Sequence, residues 1–230
     1  LYIRSGLGKV GRLEGSVTEG VLGGILDVLG REGTLIVPTF TQTSKIWQRG
    51  AILFDEDSPP NTGALSKRVL KLKGAVRSKH PSHSFAAIGK QAEYLLANHN
   101  KDAACFEPMR RLIELDGKMM LIGCIDESPG FSTVHLAQYD LGLSQQHYLK
   151  WLLKVQIIEE NQKIIYRPDE SPGCSSAFSK FYPIYVQENN SISGMIGGAS
   201  LLCVGAKKAY GIEYKTLAKD PRFIICDDPK

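Results

Sequence analysis

The sequence lacks most of the features that assign a chain at sight. No apolar run reaches the ~20 residues that a bilayer-crossing helix needs, so no membrane partner is expected. No dense basic tract with interleaved aromatics is present. The net charge of +4 therefore admits an anionic ligand without implying nucleic acid. Five cysteines (Cys105, Cys124, Cys174, Cys203, Cys226) form no CxxC pair. Their odd number and wide spacing speak against a disulfide framework and fit free thiols in a reducing, cytoplasmic setting. There is no HExxH, no G-x-S-x-G elbow, no internal repeat and no heptad pattern. The opening Leu1-Tyr2-Ile3-Arg4 has neither an initiator Met nor the order of a signal peptide, and the chain is expected to be clipped at both ends.

What is present is ordinary globular material. With 230 residues, 43% of them hydrophobic, the chain can fill a sizeable core. One domain over residues 1–230 is expected, with a hairpin-containing subregion at about 150–190, as a monomer or homodimer. Residues 1–3 read as the end of a strand. A helix runs from an N-cap at Ser16 to Gly30, followed by a strand at 34–37. Residues 63–73 form an amphipathic helix with a basic face; 85–88 read as a strand, 91–98 as a helix and 119–124 as a strongly apolar strand. A helix follows at about 134–143. Residues 154–167 alternate around Asn161-Gln162 as a β-hairpin. Residues 175–188 look helical with an interruption near Pro183; 207–219 form a helix and 223–226 a last strand. This alternation predicts an α/β fold: a layered α/β/α sandwich around a mixed, largely parallel central sheet, with a small hairpin-containing appendage.

Three places could carry chemistry. Gly6-Leu7-Gly8-Lys9-Val10-Gly11 fits G-x-G-x-x-G. Its helix is delayed to Ser16, and the next strand ends in Pro38-Thr39 where a ribose-binding carboxylate belongs, so dinucleotide binding is set aside. A glycine turn that admits a phosphate stays open. The run from Arg77 to Gly89 packs two histidines, two cations and three hydroxyls ahead of an apolar stretch. It reads equally as a solvated loop or as the wall of a site. His135 follows the apolar strand and a glycine-containing loop, with Ser132 or Thr133 available as a helix cap. That places it beyond the end of a central strand, where open α/β sheets bind ligands. A locally satisfied histidine is the rival reading. Joining His80 and His83 to His135 or Cys124 as a zinc site is disfavoured, because Pro81 keeps the first two off one helical face; no metal is expected. Cys124 reads as a core thiol.

These segments, in this order, resemble the aminoglycoside 3-N-acetyltransferases and their relatives, the antibiotic N-acetyltransferase superfamily with a YokD-like fold. Ile3-Arg4-Ser5-Gly6-Leu7 resembles the opening V-H-S-S-L element, with Arg4 where a histidine usually stands. Gly33 to Thr39 resembles G-T-L-V-M-P-T, and Phe54-Asp55 with Thr62 to Ser66 resembles F-D-P…T-G-A-L-S. Arg77 to Gly89 resembles R-S-x-H-P-x-x-S-F-A-A-x-G, and Thr133 to Ala137 resembles T-x-x-H-L-A-E.

The resemblance implies transfer of an acetyl group from acetyl-CoA, as acyl-donor substrate, to an amine of an amino sugar. His135 takes the position of the family's catalytic histidine, and a neutral imidazole suits deprotonation of a sugar ammonium. Gln138 stands where the family has glutamate, so it can hydrogen-bond but cannot carry charge. For the CoA side the candidates are Arg4, Ser5, Gly6, Leu7, Arg77, Lys79, His83 and Ser84, with Arg77 alternatively holding its own loop through carboxylates. For the acceptor side they are Asp55, His80, Asp126 and Glu127, the last two also as substitutes for the missing glutamate. The segment after Pro38-Thr39 carries no carboxylate for a polycationic acceptor. A nucleotide-linked amino sugar is therefore a rival acceptor, and a non-catalytic CoA-binding module a rival of another class.

Overall fold

Elements form where periodicity and end signals coincide. In the computed structural model, which describes residues 1–226, β1 (Tyr2–Ser5) is followed by α1 (Val17–Leu29) and β2 (Thr34–Pro38). The Ser16 side chain accepts from Glu19 N–H at 3.4 Å, and Gly30 closes the helix at φ 60°. Then come β3 (Ser44–Lys45), α2 (Ala64–Val69), β4 (Val76–Arg77), β5 (Phe85–Gly89), α3 (Ala92–Leu96) and α4 (Glu107–Glu114). Next are β6 (Lys118–Ile122), α5 (Ser132–Asp140), β7 (Leu153–Glu159) and β8 (Gln162–Tyr166). The described chain closes with α6 (Tyr182–Gln187), β9 (Ile192–Ile196), β10 (Ala199–Gly205) and α7 (Ala206–Lys219).

Seven strands form one mixed sheet in the order β4-β5-β2-β1-β6-β10-β9. The α/β layering is as expected, but the parallel part is smaller than predicted. Only β1 with β2 and β1 with β6 run parallel; the other pairings are antiparallel. Connection length decides two of the antiparallel pairings. A parallel return needs a crossover of a dozen or more residues, whereas the β4–β5 and β9–β10 links are short loops that permit only antiparallel return.

Alternation along the strands feeds two cores. Tyr2, Ile36, Phe85 and Leu121 point into the larger one, shared with Leu95, Met109, Val134 and Tyr185 of α3 to α6. Ile3, Leu35, Val37 and Ala86 point the other way, against Val21 and Leu22 of α1 and Leu65 and Val69 of α2. β3, β7 and β8 form a separate small sheet over Phe54, Val155 and Ile157. Its hairpin turns at Glu160-Asn161, both at positive φ, one residue earlier than expected.

Two other expectations need correction, at α2 and at 223–226; α4 and the β9–β10 hairpin had no expected counterpart. α2 stops at Val69 rather than Lys73, the chain turning at Gly74 with φ 86°. α4, with a proline in its first turn, was not anticipated. Residues 194–204 belong to the β9–β10 hairpin. Residues 223–226 form turns, not a strand: Phe223 N–H returns to Asp220 O at 3.1 Å, and its ring packs on Phe181 at 5.0 Å. No described helix is long and apolar enough to cross a membrane.

Candidate active site

The carboxyl ends of β1 and β6 meet at two glycines. A Cβ on Gly123, which sits at φ 65°, would lie 2.5 Å from Gly6 O, and one on Gly6 would lie 2.9 Å from Gly123 O. Only glycine allows this approach. Gly6 N–H donates to Ile122 O at 2.7 Å. The loop that leaves β6 is braced by Arg4, whose guanidinium donates to Gly130 O at 3.1 Å and to Ser128 Oγ. α5 then packs on β1, with Tyr2 Oη and Ser132 Oγ 2.6 Å apart. The expected caps are used elsewhere: Phe131 occupies the N-cap position with no side-chain cap, and Thr133 Oγ1 donates to the buried Glu213 carboxyl at 2.9 Å.

This arrangement delivers His135. Its Nδ1 lies 2.9 Å from Gln138 Oε1, one helical turn on. An amide oxygen only accepts, so Nδ1 carries the proton and Nε2 keeps its lone pair. The ring stacks on Phe106 (4.7 Å, 22°) and tilts against Phe178 (4.7 Å), yet stays partly accessible. Burial drives its pKa down to about 3, aided by Arg4 and His83 and opposed by Gln138 and the Pro172 backbone carbonyl. The imidazole is thus neutral at physiological pH and can accept a proton.

The 77–84 run is, by contrast, spent on itself. Arg77 donates to Ser84 Oγ (3.2 Å), Ser58 O (2.5 Å), Glu56 O (2.9 Å) and Thr39 O (3.0 Å), and stacks 5.3 Å over Phe54. It holds the loop through carbonyls rather than carboxylates. Ser84 is fully buried and donates to Thr39 O at 2.7 Å, which leaves it no face for a cofactor. Ser78 Oγ accepts from Phe85 N–H and bonds His99 Nδ1 at 2.9 Å. His80 is buried against the His99 ring at 5.0 Å. It is enclosed, so it presents no surface to an acceptor. His83 alone faces the site, between Phe40 (4.8 Å) and the Phe106 ring it shares with His135 (5.4 Å); burial lowers its pKa to about 4.

His80, His83 and Cys105 do gather, with ligand atoms within 4.8 Å of one another. The donors do not fit a metal. His80 Nδ1 already accepts from His83 N–H (3.0 Å) and Ser82 N–H, so its other nitrogen is protonated. Burial, helped by the neighbouring Glu170 carboxylate, pushes the Cys105 thiol well up, away from the thiolate a metal needs. Cys124 is elsewhere, its thiol against Arg4 O at 3.5 Å.

The remaining candidates scatter. Ser5 ends β1 at the mouth of the glycine junction, and Leu7 is buried just beyond it. Asp126 and Glu127 are exposed; Glu127 pairs with Lys9 at 3.0 Å, and neither replaces the family glutamate, whose place beside His135 is filled by Gln138 itself. Asp55 and Lys79 line a groove of about 460 Å³ with Glu56, Asp102 and Glu159. Phe106, Phe178 and Pro172, which enclose His135, were not singled out from sequence: they lie on remote segments and carry no motif.

A family profile described as aminoglycoside 3-N-acetyltransferase matches residues 3–218. The chain is 34% identical over 124 residues to aminoglycoside N(3)-acetyltransferase IX of Micromonospora chalcea, covering 46% of this chain and 44% of that protein. It therefore spans less than half the length of that relative. The Bacillus subtilis YokD crystal structure superposes with a TM-score of 0.79 at 19% identity, over 96% of this chain and 87% of that one. AAC-VIa bound to sisomicin superposes at 0.74 and 20% identity, over 95% and 91%. At such identities the two structures share the fold.

Proposed function

Because this chain belongs to the aminoglycoside 3-N-acetyltransferase family, we propose that it transfers an acetyl group from acetyl-CoA to an amine of an amino sugar, by default the 3-amino group of an aminoglycoside. His135 is the general base and Gln138 its positioning residue. One observation carries the reading: the 2.9 Å Nδ1–Oε1 contact suits the tautomer with the proton on Nδ1 and the lone pair on Nε2, at the carboxyl ends of the central strands. The sisomicin-bound neighbour supports the acceptor class. Coenzyme thiols and free protein cysteines both suit a cytoplasmic setting.

The chemistry follows from the groups present. The acceptor ammonium releases a proton to His135 Nε2. The amine then attacks the thioester carbonyl and a C–N bond forms. As the tetrahedral intermediate collapses the C–S bond breaks, and the attacking nitrogen gives up a second proton. The CoA thiolate takes one up to leave as free thiol, and His135 returns its own proton to solvent. Backbone N–H groups of Leu7 and Gly8, for which the described residues supply no acceptor, are the candidate donors to the oxyanion. Ser5 and Arg4 border the same mouth.

Release of free CoA thiol on mixing protein, acetyl-CoA and an aminoglycoside tests the proposal. Turnover is expected, with an acetylated amine in the product. Absence of turnover across a panel of aminoglycosides and nucleotide-linked amino sugars would overturn it.

A further inference from the structure

Residues 40–54 and 141–158 contain no aspartate or glutamate, yet carry Lys45, Arg49, His147, Lys150 and Lys154 and both tryptophans of the chain. The fold brings them together. β3 pairs with β7 through Lys45 and Leu153, and Ile46 N–H donates to Leu152 O at 2.9 Å, so the turns that bear Trp47 and Trp151 lie side by side. Trp47 (63%), Trp151 (67%) and Tyr148 (66%) stand exposed. Large aromatic faces left in water on one patch mark a binding surface rather than a packing accident.

The cations are placed with the rings. Lys45 Nζ lies 5.4 Å from the Trp47 ring centroid and Lys150 Nζ 4.9 Å from that of Trp151. Lys154 is committed elsewhere, donating to Ile46 O (3.2 Å) and Gln48 O (2.7 Å), which fixes the turn. Lys45, Arg49 and Lys150 form no ion pair among the described residues, and no carboxylate on either segment competes for them. A polycationic aminoglycoside would be repelled here; an anion carrying an aromatic ring would find both complements.

The patch also reaches the candidate active site. The His147 ring stacks on Tyr148 at 5.0 Å and lies against Gly173, where a Cβ would come within 3.3 Å of it. Gly173 follows Pro172, whose carbonyl faces His135. A ligand held by its aromatic end on the patch would extend over 172–173 toward the base.

We propose that this surface binds the base and phosphates of a nucleoside diphosphate group, with Trp47 and Trp151 stacking the base and Lys45, Arg49 and Lys150 holding the phosphates. Its use in acetyl transfer rests on the function proposed above. Two substrates carry this chemistry: the coenzyme of the donor, and a nucleotide-linked amino sugar as acceptor.

Titration of the intact chain with CoA, with UDP and with inorganic pyrophosphate, followed by tryptophan fluorescence and calorimetry, tests this. CoA or UDP should quench the fluorescence and bind more tightly than pyrophosphate. Trp151→Ala and Lys150→Glu should each weaken that binding about tenfold, within the range for loss of one base-stacking ring, with an unchanged melting temperature. Weakening confined to CoA assigns the patch to the donor, and weakening confined to UDP assigns it to the acceptor. Equal binding of pyrophosphate, unchanged affinities in both variants, or binding only to anionic lipid vesicles would overturn the inference. Acetylation of an aminoglycoside, measured in parallel, tests the enzyme reading separately: turnover with no nucleotide bound at the patch sinks this inference alone.

Discussion

The 77–84 loop and the first turns of α5 make opposite use of polar residues. The loop holds the densest polar run in the chain, and nearly every group in it is consumed by a neighbour: Arg77 has four acceptors, and Ser78 and Ser84 each link two partners. α5 offers one histidine with one polar partner, set among Phe106 and Phe178. Density of polar side chains thus marks the segment whose backbone needs the most holding, because an irregular loop cannot satisfy its own N–H and C=O groups. Chemistry needs the reverse, a lone pair without a partner, in surroundings that set its pKa.

The sharpest way to break that comparison is to remove one residue from each side. His135→Ala should lower kcat/KM by roughly 10²–10⁴-fold, the usual worth of a positioned base, with little change in melting temperature. Arg77→Ala should do the opposite. Four hydrogen bonds from a half-buried guanidinium, at about 1 kcal/mol each before relaxation, predict a loss of about 3 kcal/mol of stability in denaturant unfolding. Activity per folded molecule should change little. If Arg77→Ala melts normally but fails to turn over, the loop belongs to the site after all.

A third substitution tests whether α5 has a structural side of its own. Glu213 is fully buried behind it, takes hydrogen bonds from Thr133 and Tyr185 on Oε1, and has no partner for Oε2 among the described residues. Burial raises its pKa from 4.5 to about 8. The folded state therefore prefers the neutral acid. That preference is fully present below pH ~4.5, erodes as the unfolded carboxyl ionises, and is lost by about pH 8. Glu213→Gln should flatten the fall in stability between pH 5 and 8 and be more stable than the parent at pH 9 by about 1–3 kcal/mol. Parallel slopes for the two proteins would show that Glu213 is not the titrating group.

What the sequence disclosed and concealed follows the same division. α1 was legible because Ser16 and Gly30 mark its ends, and the β7–β8 hairpin because its alternation breaks at a turn pair. His135 was singled out by its place after the apolar strand and Gln138 by the family resemblance alone; the fold puts Gln138 Oε1 2.9 Å from His135 Nδ1. Strand direction was not legible, because strand composition does not carry it: β2–β5 and β6–β10 run antiparallel even across long connections. The loop-holding alternative for Arg77 was legible but its partners were not: three of its acceptors are backbone carbonyls, which no side-chain pattern announces. Phe106 and Phe178 flank His135 from distant segments, so only the folded chain assembles the environment that lowers its pKa.

The smallest expected effect discriminates most finely. Gln138→Glu places a carboxylate where Oε1 now lies, 2.9 Å from Nδ1. The neutral amide does little to stabilise the imidazolium, and burial holds His135 at about 3. An anion at that distance favours the charged ring and should raise its pKa by one unit or more. Because the reaction needs the unprotonated base, activity falls as pH drops through that pKa, so the acid limb of kcat/KM moves upward. At pH 7 both proteins remain deprotonated, and the stronger base of the variant should be a few-fold faster at unchanged KM. The C–H resonances of the His135 ring, followed between pH 3 and 8, report the shift directly. If they titrate as in the parent while the rate changes, Gln138 acts on the substrate rather than on His135. The histidine would then owe its orientation to the flanking rings alone.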